Sequence, residues 1–262
     1  MSHQLTAAVI ARDEEDQIGP CLAALAWADE RLVLVDAATR DHTFERAQQA
    51  GARVERRPFL DFATQRNAAL ELARTPWVLF VDADERVTPA LRAEVVHVLA
   101  QPDGRVGFWI PRRNHMLGRV LRGGGWFPDY QLRLLRRGAA HYQWSSIVHE
   151  VASLAGPSGW LAEPLDHLSH RTLADFTRKQ ERYCGLAARR WSAEHGRPRV
   201  RALVGQPIRE FWRRYVTLAG YRDGPVGLEL SLVCAWYTGR AVWRARSLSF
   251  PPEPPPAARP RS

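Results

Sequence analysis

Two carboxylates one residue apart, Asp82 and Asp84, follow the strand-forming run Val78-Leu79-Phe80-Val81. Paired carboxylates at a strand end can hold a divalent cation against a diphosphate. Mg2+ and Mn2+ take one or two such ligands and complete their shell with phosphate oxygens and water. The ion then acts as a Lewis acid on charge that develops at a leaving phosphate. A lone D-x-D triplet is common in loops, so its position decides its worth. An earlier apolar run ends in Ala11-Arg12-Asp13-Glu14, and another in Asp36-Ala37-Ala38-Thr39-Arg40-Asp41. Three strand ends loaded with carboxylates on one sheet edge make either a polar site or a row of helix caps.

A second set lies further along. Asp129 and Glu150 are the only acidic residues between Gly104 and Ala162. A hydroxyl that attacks as a nucleophile must lose a proton, and a carboxylate within hydrogen-bond reach can take it. Asp129 is the first choice for that role and Glu150 the second; the competing reading of Asp129 is an ion pair with Arg133 or Arg136. His149 suits either a third metal ligand or a structural position beside a strand. His141, His167 and His170 show no ligand spacing. Arg112, Arg113, Arg119 and Arg122 fit phosphate recognition as well as an ordinary solvated face.

The elements that must position these residues follow a regular beat. Strand-length apolar runs fall at 5–11, 31–36, 53–57 and 77–81, with helical spacing between them: Leu22 and Leu25, then Phe44 and Ala47, then Phe62, Ala69, Leu70 and Ala73. A repeat of roughly two dozen residues is that of βαβ units, and continuous apolar strands suit a parallel sheet covered on both faces. Ligands of such sheets bind beyond the carboxyl ends of the strands. Residues 105–170 are richer in Gly, Trp and His, and Gly123-Gly124-Gly125 marks a tight or mobile loop. From Leu173 the pattern is helical, with one apolar stripe at Phe176, Tyr183, Leu186 and Ala187 and another at Phe211, Trp212, Tyr215 and Leu218. A third helix, 226–243, carries Leu232, Val233, Trp236 and Trp243. Its longest uncharged run is ten residues, half of the ~20 that a spanning helix needs. It reads as an interfacial helix or one packed on its neighbours. The tail, 251–262, is proline-rich and reads as disordered.

Charge divides the chain. Residues 1–105 hold 12 basic and 17 acidic side chains, and residues 106–262 hold 25 and 11. The basic half implies an anionic partner: nucleic acid, a phosphorylated substrate or a membrane surface. With 262 residues, 45% hydrophobic and 25% charged, the chain can bury one sizeable core and an appendage, which excludes a disordered or collagen-like protein. Three cysteines far apart exclude a disulfide framework and a cysteine zinc site. The N-terminus lacks the basic segment of a signal peptide, so a cytoplasmic location is expected.

Residues 5–15, 33–43, 65–70 and 77–85 resemble family 2 glycosyltransferases of the GT-A fold. Pro111-Arg112-Arg113-Asn114, the run from Gly124-Gly125-Trp126-Phe127-Pro128-Asp129 through Leu134, and Val148-His149-Glu150 resemble the bacterial branch that includes lipopolysaccharide core β-glucosyltransferases. The resemblance spans roughly residues 4–245. It implies an α/β GT-A domain at 1–170; the charge and helical pattern add a basic, membrane-associating helical extension at 171–250 and the tail, 251–262. It also implies that Ala11, Arg12, Asp13 and Glu14 line the nucleotide pocket and that Asp36 binds the base. Gln65, Arg66 and Asn67 then approach the nucleotide, Asp82 lies near ribose and sugar, and Asp84 binds Mg2+ or Mn2+; Ala83 between them joins the nucleotide-sugar site, and His149 is a further candidate ligand from its residue type alone. Asp129 matches the base. The sequence departs from the family pattern at Ala11, Asp13, Ala37, Thr39 and Arg40, which bears on the nucleotide more than on the chemistry.

The implied activity is inverting transfer of a hexose, glucose by the resemblance, from a UDP-sugar to a membrane-linked glycolipid such as the lipopolysaccharide inner core. The enzyme would sit peripherally on the anionic inner face of the plasma membrane. The alternatives are another envelope polysaccharide or a lipid-phosphate acceptor, and a basic nucleic-acid-binding protein. Against the last, the chain shows no RRM, KH, helix-turn-helix or zinc pattern.

Overall fold

The structure is a computed structural model that describes residues 4–101, 103–144, 150–169 and 172–247; the side chains of Trp144, Glu150 and Val151 are outside the description. The first half alternates as the spacing predicts: β1 (Leu5–Ala11), α1 (Glu15–Ala24), β2 (Glu30–Asp36), α2 (Thr43–Gln49), β3 (Arg53–Arg57), α3 (Phe62–Leu72) and β4 (Trp77–Phe80). These strands pair in parallel in the order β3-β2-β1-β4. β1 earns its central place by composition. Ala7, Val9 and Ala11 face one core and Ala8 the other. Its one polar member, Thr6, is buried but bonded to Glu30 Oε2 at 2.7 Å and Thr75 Oγ1 at 2.8 Å. Asp61 caps α3 by accepting from Thr64 N at 2.7 Å.

Beyond β4 the sheet stops being parallel. It continues through β5 (Glu85–Val87), α4 (Pro89–Ala100), β6 (Gly107–Met116), β7 (Arg119–Val120), β8 (Asp129–Arg136), β9 (Ala140–Trp144), β10 (Glu150–Leu154), β11 (Ser158–Trp160) and β12 (Leu165–Leu168). β8 inserts antiparallel between β4 and β6, and the path ends β8-β6-β12-β5. β9 and β10 form a separate hairpin. The parallel sheet expected from the first hundred residues therefore holds for four strands and becomes mixed afterwards. In β8 and β6 arginines and acids interrupt the apolar pattern that marks a parallel strand.

Three helices close the fold: α5 (Leu173–His195), α6 (Val200–Trp212) and α7 (Gly224–Ser247), with a π-helical turn at Arg213–Thr217 and a 3-10 turn at Gly220–Asp223. Phe176, Leu230 and Cys234 pack on Met116 and Leu121 of the sheet region. The join is tight: a Cβ on Gly123 would lie 2.1 Å from Ala219 O, and one on Gly227 1.9 Å from Gly220 O. Asp223 accepts from the backbone N–H groups of Arg122 and Gly123 at 2.8 and 2.9 Å. The buried stripe of α5 is Phe176, Cys184, Ala188 and Ser192. Tyr183 and Ala187, expected on it, face solvent, because an i, i+4 stripe drifts around the helix and a stripe read one residue early points outward. No helix among the described residues is long and apolar enough to cross a membrane.

Candidate functional site

Strand order reverses at β1, which lies between β2 and β4, so the crevice at the carboxyl ends of these strands is where a ligand of this sheet sits. A cleft of about 330 Å³ lies there, lined by Ile10, Ala11, Arg12, Glu14, Asp36, Phe59, Phe62 and Gln65. Four of the residues expected around a nucleotide at the first two strand ends, Ala11, Arg12, Glu14 and Asp36, are in its wall, and so is Gln65. Asp36 is buried. Its Oδ1 accepts from Ala38 N at 3.0 Å and Phe59 N at 3.3 Å. Its Oδ2 has no aligned hydrogen-bond donor, although Arg12 Nη1 is 3.1 Å away as an ion pair. Gln65 donates through Nε2 to Pro58 O at 3.0 Å, while its buried Oε1 has no partner among the described residues. A buried acceptor without a donor is costly, and a ligand bringing N–H or O–H groups into the cleft would satisfy both. Phe59 and Phe62 meet edge to face at 4.9 Å. Phe62, which marks the start of the helical spacing, is half exposed at the cleft.

Other expected residues are spent on the scaffold. Asp13 adopts a left-handed backbone (φ 53°) and accepts from Arg40 N at 2.8 Å. Asp41 accepts from Thr43 and from Glu15 N, bonds that hold its carboxyl below the usual range against the opposing cost of desolvation. Asn67 exchanges two 2.8 Å bonds with the backbone of Tyr142. Ala83 is buried in the core beneath the loop. These are the cap-and-turn roles that compete with a site at any strand end.

At the end of β4, Asp82 is clamped. Arg133 Nη2 lies 2.6 Å from its Oδ2 and Nη1 3.1 Å from its Oδ1, and Arg66 Nη2 is 3.8 Å from Oδ1. Desolvation works against ionisation, but the Arg133 guanidinium, aided by Arg66 and Arg112, holds this carboxyl well below the usual range. Glu85, fully buried, accepts from Asp82 N at 2.8 Å and meets Arg133 at 3.1 Å. Burial, with Asp82 beside it, pushes its carboxyl up. Arg133 is buried too, so this cluster fixes the loop that presents Asp84. Glu14, nearby, is raised to about 7 by burial and by the carboxylates of Asp84, Asp41, Asp82 and Asp13.

Asp84 Oδ2 faces His167 Nε2 at 3.2 Å. The other side of that imidazole is determined. Asn114 Nδ2 donates to Trp126 O at 2.6 Å, which orients its amide, so Asn114 Oδ1 must accept from His167 Nδ1 at 2.6 Å. In the neutral ring His167 Nε2 is then an acceptor facing a carboxylate. Two acceptors at this distance need a proton or a cation between them. Neighbouring ligands of an octahedral ion at ~2.1 Å each stand about 3 Å apart, which the pair matches, and the carboxylate suits Mg2+ or Mn2+ while imidazole suits transition metals. The residues therefore fit a divalent ion, with Asp84 and His167 as its protein ligands. No cluster of three such groups occurs among the described residues. His149 is outside the described residues. His167 was missed because its partner is 83 residues away in sequence; the antiparallel pairing of β12 with β5 brings them together.

Asp129 opens β8 opposite Arg112. Arg112 holds its Oδ2 through Nε at 2.9 Å and Nη2 at 2.5 Å, and Gln131 donates to Oδ1 at 2.8 Å. The ion pair exists, with Arg112 in place of Arg133 or Arg136. Glu150 opens β10 opposite Trp144 in the hairpin. Lys179 of α5, the only lysine, is lowered by burial and lies in the field of Asp84 and Arg112.

Comparison with known proteins agrees with this fold. The model of the family described as "Glycosyl transferase family 2" matches residues 6–156. The lipopolysaccharide core biosynthesis glycosyltransferase LpsC of Rhizobium meliloti is 30% identical over 257 residues, 95% of each chain. An uncharacterized glycosyltransferase of Rickettsia conorii is 26% identical over 100 residues, 38% of this chain and 36% of that one. Among solved structures, residues 1–349 of S. aureus TarS superpose with a TM-score of 0.50 at 14% identity, covering 92% of this chain and 91% of that one. The mannosyltransferase PcManGT from Pyrobaculum calidifontis, solved with GDP-Man and Mn2+, gives 0.51 at 13% identity, covering 93% and 86%. The fold is a GT-A fold with C-terminal helices.

Proposed function

The chain belongs to glycosyl transferase family 2, and from that membership we propose that it moves a hexose, glucose in the first instance, from a UDP-sugar to a membrane-linked glycolipid of the lipopolysaccharide core type. The reading is carried by the cleft at the ends of β1 and β2, where Asp36 Oδ2 and Gln65 Oε1 are buried without aligned donors. A uracil imide N–H and a ribose hydroxyl supply what these atoms lack. The full-length similarity to LpsC supports the acceptor class. Residues 1–170 form the catalytic unit in this reading and 171–250 its helical extension.

The base lies between Phe59, Phe62 and Asp36, and the diphosphate runs toward the end of β4. Arg66 and Lys179 bring positive charge to it. Asp82, locked by Arg133, is oriented toward ribose and sugar without swinging. Asp84 and His167 would hold a divalent cation, which neutralises charge on the leaving nucleoside diphosphate when bound. Asp129 takes the proton of the attacking acceptor hydroxyl on Oδ1, while Arg112 fixes Oδ2 and hence the direction of the remaining lone pair. Holding donor and acceptor in line accounts for much of the rate. Because both Asp129 oxygens are already hydrogen-bonded, Glu150 is the second reading for the base.

The test is thermal unfolding with Mn2+ and a panel of nucleotide-sugars. A true donor at 100 times its Kd adds about 2.7 kcal/mol to stability. UDP-glucose is expected to raise Tm most, and Asp36→Ala to abolish the rise. A panel in which no nucleotide-sugar changes Tm would overturn the proposal.

A further inference from the structure

α6 has no buried residue, and this is unusual for a helix packed between two others in sequence. Val200, Val204, Ile208 and Trp212 run along it at four-residue steps, each more than 60% exposed. On α7, Leu232, Trp236 and Trp243 are 53%, 65% and 60% exposed. Of the eighteen large exposed apolar side chains among the described residues, ten fall between Val200 and Trp243. Scattered exposed apolar residues need no explanation; a concentration of this kind does.

The two stripes lie on one side of the helix pair. α6 and α7 run antiparallel: Arg246 reaches Pro198 O at 2.9 Å, and a Cβ on Gly239 would lie 3.0 Å from Pro207. At about 100° per residue, the α7 stripe is rotated roughly 20–60° from Gly239. The α6 stripe is rotated roughly 20–140° from Pro207 in the same sense. For antiparallel helices touching at those two residues, equal senses of rotation bring both stripes out on the same side.

Charge selects the occupant. Arg197, Arg199 and Arg201 stand exposed at the entry to α6, Arg209 on its flank and Arg222 at the foot of α7, and none has an acidic partner among the described residues. Glu210 pairs with Arg213 and Arg214, and Glu181 of α5 with Arg240 and Arg244, which leaves exposed Glu229 of α7, without an ion pair among the described residues, against these five arginines. A second copy of this face would bring arginine against arginine across a two-fold axis. A helix pair too polar to span, with valine, isoleucine and tryptophan on one face and unpaired arginines at its margins, matches an anionic lipid surface. Tryptophan at such a surface places its ring at headgroup depth.

We infer that the α6–α7 face, through Val204, Ile208, Trp212, Trp236 and Trp243 with the surrounding arginines, docks the enzyme on an anionic phospholipid bilayer. The membrane is the partner here, and the inference does not depend on which sugar or acceptor the cleft takes.

The test is flotation of the full chain with phosphatidylcholine vesicles and with vesicles containing phosphatidylglycerol, in low and high salt. The wild type is expected to float with the anionic vesicles, at least tenfold less with neutral ones, and less as salt rises. Ile208→Glu/Trp236→Glu is expected to remove flotation, and Arg201→Glu/Arg209→Glu to weaken it tenfold or more. Both variants should keep the wild-type Tm and its rise with UDP-glucose and Mn2+, which separates a docking defect from unfolding or from failure of the donor reading. Equal flotation of wild type and the first variant overturns the inference. So does a wild type that ignores vesicles yet is dimeric by light scattering and becomes monomeric in that variant, since a second copy then covers the face.

Discussion

His167 Nε2 stands 3.2 Å from Asp84 Oδ2 with its own proton committed to the other ring nitrogen by Asn114. That lock is a prediction in itself. Asn114→Ala removes the group that sets the tautomer without touching Asp84 or His167. Partners of metal-bound imidazoles typically contribute 10- to 100-fold in affinity. Mn2+ titration followed by Tm or electron paramagnetic resonance should show a loss of about that size in Asn114→Ala, and a larger one in His167→Ala. Unchanged Mn2+ binding in both would remove His167 from the cation site.

Arg133 is buried between Asp82 and Glu85. Removing one partner of such a group leaves charge stranded in the interior, at a cost of about 3–5 kcal/mol. Arg133→Met should lower the urea midpoint by a corresponding amount. The loop at Asp82-Ala83-Asp84 should lose order as well, so nucleotide affinity should fall with stability. A variant as stable as the wild type would mean that the cluster relaxes to neutral carboxyls at little cost.

The carboxylate-bearing edge of the sheet was readable where sequence and space coincide. Val78-Leu79-Phe80-Val81 followed by Asp82 is a buried strand running into the crevice, because a parallel strand must be apolar on both faces and its carboxyl end must face the crevice. The same logic located Asp36. It failed where long-range pairing decides. His167 and Asn114 come together with Asp84 only through the β6-β12-β5 arrangement, and nothing in their local sequence marks it. Arg133 looked like an ordinary partner of Asp129 at four-residue distance, but strand geometry and a bulge at Phe108/Trp109 turn it to Asp82. In the helical part, the stripe on α7 was legible from its tryptophans. The stripe on α6 was not, since Val200, Val204 and Ile208 are what a packed helix would also show.

Glu14 gives a pH signature. Its ordinary value near 4.5 is raised to about 7 by burial and by four neighbouring carboxylates. The folded state therefore holds this proton more tightly than the unfolded state. The associated stability is fully present below 4.5 and is lost as pH rises through about 7. Glu14→Gln avoids the loss. Because the group is only half buried, the gain over wild type is of order 1 kcal/mol above neutrality and nil in acid. Denaturant unfolding at several pH values checks it, and saturating Mn2+ should narrow the gap by opposing the carboxylate field.

The choice of base can be made by kinetics, because the two candidates are held differently. Asp129 is pinned by Arg112 on one oxygen and Gln131 on the other, while Glu150 opens a strand of the separate β9-β10 hairpin. Loss of a general base costs roughly 10²–10⁴ in kcat and leaves donor binding intact. If Asp129 is the base, Asp129→Asn should show that loss at unchanged UDP-sugar affinity, and Glu150→Gln should retain most of kcat. Arg112→Lys then adds a discriminating measurement. It keeps the charge but gives up the two-point grip on Oδ2, so a base that depends on orientation loses kcat without a matching rise in donor KM. A pattern in which Glu150→Gln alone collapses kcat, with Asp129→Asn lowering only stability, would assign Asp129 and Arg112 to the scaffold and the proton to Glu150.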